Sequence, residues 1–68
     1  MKESLGESLP KEMARVREAL SHYHEIGPAG AFGAAMIEQS LQFADHAIIE
    51  GDIVQMMVAY KDLQSING

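Results

Sequence analysis

The chain has 68 residues, with five lysines and arginines against ten aspartates and glutamates, a formal net charge of −5 and no cysteine. A domain this short buries only about 60% of the surface its unfolded chain exposes, and without cysteine neither a disulfide nor a thiolate metal site can staple it. Self-association is the staple the composition leaves. The acidity argues against a duplex-binding protein, because nucleic-acid affinity rests on lysine and arginine displacing counterions.

Charge is also unevenly placed. Lys2, Lys11, Arg15 and Arg17 lie near the start and Lys61 near the end, whereas Glu18, Glu25, Glu38, Asp45, Glu50 and Asp52 occupy an interval with no lysine or arginine. These carboxylates are too sparse to imitate a DNA backbone and read as a solvated acidic face. The opening MKESLGESLPKE is polar where a secretory signal carries an apolar core, so a cytoplasmic location is expected. The longest uncharged stretch, Ile26 to Ile37, is 12 residues, and a membrane-spanning helix needs about 20.

Residues 1–7 lack periodicity and read as a flexible tail ahead of a single helical domain over 8–68. Ser8 can cap a first helix, over about 9–26, whose early turn tolerates Pro10. Leu9, Met13, Val16, Leu20 and Tyr23 then repeat at helical spacing as a narrow seam. Gly27, placed in the left-handed region, and Pro28 stop that helix.

A second helix is expected over about 29–50, ended by Gly51. At about 100° per residue, Phe32, Met36 and Phe43 form one shoulder and Ile37, Leu41 and Ile48 the other. The small residues Gly33, Ser40, Ala44 and Ala47 lie between them. This arc is broader than the apolar stripe of an ordinary surface helix, which predicts two neighbours. The small ridge would let another backbone come close. Asp52 and Gln55 have capping-box spacing and start a third helix over about 53–66, with Ile53, Met56, Met57, Tyr60 and Leu63 as its main face and Val54 and Val58 as a separate patch.

The stretch ADHAIIEGDIVQMMVAYKDL, residues 44–63, resembles the inter-helix turn of tetratricopeptide-like hairpins: an alanine-rich helix ends at Gly-Asp and an aromatic follows that aspartate by eight residues, as Tyr60 follows Asp52. The resemblance implies a tightly turned antiparallel hairpin and no binding site, since no second unit is visible. Taken together, LPKEM, IGPAGAFGAAMIE and EGDIVQMMVAY resemble small uncharacterised helical proteins encoded in phages and prophages of proteobacteria. That likeness implies an accessory protein acting by binding a host or phage protein.

Four features could carry chemistry, and each has a plainer reading. Gly27, Gly30 and Gly33 match GxxGxxG, but a phosphate loop needs a preceding strand and a terminal Lys-Ser/Thr, and no lysine or arginine lies within ten residues of Gly30. They read as a helix stop followed by close packing. Glu18 with His22, and His46 with Glu50, are four apart and could share an ion, yet such pairs are ordinary surface contacts. His24, at the edge of the first seam, reads as a partly buried, hydrogen-bonded histidine. Ser21 neighbours His22 in sequence, but adjacent helical residues face different ways, so no nucleophile–base pair forms. No enzyme, cofactor or metal is expected.

The expectation is therefore an all-α protein of three helices packed as a homodimer. The oligomer or partner interface is expected at Phe32, Gly33, Met36, Ile37, Ser40 and Leu41, with Phe43, Ala44, Ala47 and Ile48, and the patch Val54 and Val58. The expected function is a small protein-interaction module, such as a phage-derived inhibitor or adaptor binding a host protein. The alternative is a structural component whose self-association is the function.

Overall fold

In the computed structural model, which describes residues 4–66, the chain is all-helical. Helix α1 runs Leu5–Ile26, a single 3-10 turn spans Gly27–Gly30, α2 runs Ala31–Glu50 and α3 runs Ile53–Gln64. The short links fold each helix back on the one before it, so α1 and α3 run side by side against α2.

The first helix starts earlier than its periodicity predicts. Ser4, rather than Ser8, is the cap: its backbone N–H and its hydroxyl both donate to Glu7 Oε1, at 3.3 and 3.1 Å, and its carbonyl accepts from Glu7 and Ser8. Residues 5–7 of the expected tail are thus helical, and residues 1–3 lie outside the described residues. Pro10 falls inside the helix and leaves the carbonyl of Gly6 without its intrahelical donor; both residues are exposed, so water can serve that oxygen.

Both glycine stops are present. Gly51 adopts φ 66° and ψ 27°, the left-handed geometry that closes a helix, and its N–H donates to Ala47 and Ile48 carbonyls. Gly27 differs from expectation: its φ of 82° is positive, but ψ is −144°, a region open essentially to glycine alone. The chain there turns sharply into the 3-10 turn rather than ending in a left-handed cap. Asp52 begins α3 as expected, its carboxylate accepting from the Gln55 N–H at 3.2 Å.

The core is built from Leu9, Met13 and Val16 of α1, Ile37 and Leu41 of α2, and Met56 and Leu63 of α3, filled in by alanines. On α3 the buried face is Met56, Ala59 and Leu63, with Tyr60 half-buried; Ile53 and Met57, expected inside, are exposed. The buried face of α3 is centred on Ala59, which is fully buried, and this turns Ile53 and Met57 outward. Gly30 is buried because its backbone lies against the Tyr23 carbonyl, where a side chain would collide.

At the far end of α3, one side chain ties the helices together. The Arg15 guanidinium donates to the Leu63 and Ile66 carbonyls, each at 3.0 Å, and so satisfies acceptors that a helix C-terminus leaves unpaired. Glu12 holds the same group in a two-pronged contact, 3.0 Å from Nε and 2.9 Å from an Nη. The hydrogen bonding to Glu12 is the largest influence and, together with the Glu12 charge, outweighs the opposing desolvation, raising the arginine above its already high pKa.

Candidate functional site

No group of three His, Cys, Asp or Glu side chains among the described residues could hold a metal ion, and no helix among them is long and apolar enough to cross a membrane. His46 pairs with Glu50 at 2.9 Å along the outer face of α2. His24 is exposed rather than partly buried, and its Nε2 stands 3.8 Å from Glu38, linking α1 to α2 whenever the imidazole is protonated. The glycine-rich segment leads into packing: a Cβ on Gly33 would lie 2.5 Å from Tyr23 Cε2 and 2.7 Å from Cδ2, so the ring rests on that backbone.

What remains as a site is apolar surface. Of the expected interface residues, the chain's own helices bury Ile37, Leu41, Ala44 and Ala47, and half-bury Gly33, Ser40 and Ile48. The close approach anticipated along the small ridge is made within the chain, with the Tyr23 ring seated on Gly33. Phe32, Met36, Phe43, Val54 and Val58 are exposed. Four further large hydrophobics join them outside: Ile26, Ile49, Ile53 and Met57. The signal that could have found Ile53 and Met57 was Ala59; counting alanine as a core residue rotates the face of α3 onto Met56, Ala59 and Leu63.

Seven of these nine groups fall on two surfaces, with Phe43 and Ile49 standing elsewhere on α2. The first lies where the bundle loses its third helix. With 12 residues against 22 and 20, α3 is about 18 Å long beside partners of about 30 Å or more. Its last carbonyls meet Arg15, in the middle of α1. At that point opens a groove of about 200 Å³ lined by Arg15, Glu18, Ala19 and His22.

The sequence periodicity shows how this opening continues. Residues 11 apart on a helix lie three turns apart on nearly the same face, since eleven steps of about 100° return within about 20° of a full rotation. Ala47 and Met36 are such a pair on α2, yet Ala47 is 2% exposed and Met36 53%. On α1, Arg15 reaches α3, whereas Ile26, 11 residues on, is 61% exposed. The same faces are thus covered at one end of the bundle and bare at the other. Phe32, at 79%, stands beside Met36.

The second surface is the outer face of α3. Ile53, Val54, Met57 and Val58 occupy an arc turned away from Met56, Ala59 and Leu63, with Lys61 on the same side one turn further on. Comparison with family models, curated proteins and solved structures finds no match to this chain.

Proposed function

We propose that this chain is a small protein–protein interaction module, an adaptor or inhibitor of the kind that phages direct at host proteins. The observation that supports it is the distribution of bulk: the core holds 12 hydrophobic residues, of which five are alanines, leaving seven larger ones, while nine large hydrophobics are exposed. Six more, Leu5, Leu20, Tyr23, Ile48, Tyr60 and Ile66, are partly buried against that core, and extensive exposed apolar surface marks contact sites. The partner is a protein with an apolar, basic contact region, because α2 carries Glu38, Asp45 and Glu50 and no lysine or arginine. Capture from host lysate with the wild type and with the Phe32→Ser, Val54→Ser double variant tests this. A protein retained by the first, lost with the second and released by added salt supports the reading; equal retention by both counts against it.

A second reading, in which self-association is itself the function, is favoured by the thinness of that core. With only Leu9, Leu63 and Val16 as large, fully buried side chains, a domain of this size gains stability by covering apolar surface with a second copy. Sedimentation that shows a stably folded monomer at micromolar concentration would sink this reading.

A further inference from the structure

We infer that two copies of this chain pair through the outer face of α2, antiparallel about a two-fold axis between Met36 and Gln39, a contact that rests on the self-association reading and specifies its surface. The chain's own helices bury Ala34, Ile37, Leu41, Ala44 and Ala47 of α2. Phe32, Met36, Gln39, Phe43 and His46 are all exposed and follow one another at intervals of four, three, four and three. That is the 3.5-residue repeat by which one helix presents a continuous seam to another helix.

Charge selects a second copy as the occupant. An acidic chain, here of net charge −5, approaches its own copy only where its carboxylates are turned away. At about 100° per residue, Glu38 and Asp45 stand about 120–140° around α2 from Phe32, and Glu38 is turned to α1, 3.8 Å from His24. Glu50 alone lies in line with the seam, at its far end, where His46 meets it at 2.9 Å. Antiparallel pairing holds the two Glu50 side chains at opposite ends of the contact and opposes the helix dipoles, whereas parallel pairing would set like charges level. With the axis between Met36 and Gln39, Phe32 meets the partner's Phe43 and Met36 meets the partner's Gln39, each pair occurring twice.

The surface left open is of the size such a contact needs. The chain exposes 4702 Å², against about 4200 Å² for a compact monomer of its mass. The surplus of about 500 Å² per copy comes to about 1,000 Å² for two, the level at which a specific interface begins.

Because the chain has no cysteine, single-cysteine variants read the contact directly. Gln39→Cys lies beside the axis, and a short bis-maleimide is expected to join it to its own copy; Met36→Cys serves in its place should that variant fail to fold. In this register Phe32→Cys and Phe43→Cys each lie about 16 Å along the helix from their own counterparts, so neither should link alone, while their equimolar mixture should. Lys61→Cys, on the outer face of α3, should not link. Phe32→Glu, at an exposed position, should keep its helical circular dichroism and self-associate at least about tenfold more weakly than the wild type in sedimentation velocity. Added salt should not weaken the wild-type dimer, since no charges pair across it. A wild type that assembles while Gln39→Cys links no better than Lys61→Cys overturns the α2 contact and leaves self-association standing. Linking of Phe32→Cys to itself overturns the antiparallel order, and a wild type that stays monomeric overturns both the contact and the reading beneath it.

Discussion

The two ends of this bundle are made from the same helices and behave as different environments. At the Gly51 end three helices meet, and Leu9, Ala44, Ala59 and Leu63 lose all contact with water. At the Gly27 end only α1 and α2 remain, packed through Gly30, Gly33 and the ring of Tyr23, and large side chains on the once-covered faces stand in solvent. The difference teaches that burial here is set by the length of a neighbour rather than by the hydrophobicity of a residue. Met36 is bulkier and more apolar than Ala47 on the same face, yet it is the exposed one.

Substitutions at the two ends should therefore separate. The largest effect is expected at the covered end, where Leu63→Ala empties a fully buried site and should lower stability by about 2–5 kcal/mol in urea unfolding. At the other end Gly33→Leu forces a side chain into the Tyr23 ring, with an expected loss of about 1–3 kcal/mol; the loss should shrink in a Tyr23→Ala background, and an unchanged loss would show that the ring is not the obstacle. The turn between the ends is next. Gly51→Ala places a Cβ in left-handed geometry and should cost about 1–2 kcal/mol, while Asp52→Ala removes the α3 cap for about 1 kcal/mol. Smallest of all, Met36→Ser should change unfolding by less than about 0.5 kcal/mol. A drop as large as that of Leu63→Ala would mean that the two ends are equally covered.

Much of the fold was legible because it depends on local signals. The seam Leu9, Met13 and Val16, the stop at Gly51 and the Asp52 cap all follow from spacing or from a residue's own backbone preference. The early start of α1 was hidden because it depends on a reciprocal contact between Ser4 and Glu7, while Pro10 reads as a first-turn residue. The breadth of the apolar arc on α2 was readable, but which part of it the chain would cover itself was not. Ile37 is buried one residue from the bare Met36 because it lies on another face of α2, whereas Met36 and Ala47 share a face and differ in burial because of where α3 ends, at Arg15, which reaches the Leu63 and Ile66 carbonyls across 48 and 51 residues of sequence. Helical spacing carries no information about such a distant contact. On α3 the buried face was hidden because Ala59, small and only weakly apolar, is fully buried and centres the face between Met56 and Leu63.

The position of Arg15 has a practical consequence for anyone attaching something to this chain. Because it fastens the α3 terminus at mid-height on α1, whatever is fused after Ile66 starts at the mouth of the groove. A purification tag or fluorophore placed there crowds the groove. One joined ahead of Ser4 begins at the start of α1, ten residues before Arg15, about 15 Å away along the helix, and leaves the groove clear.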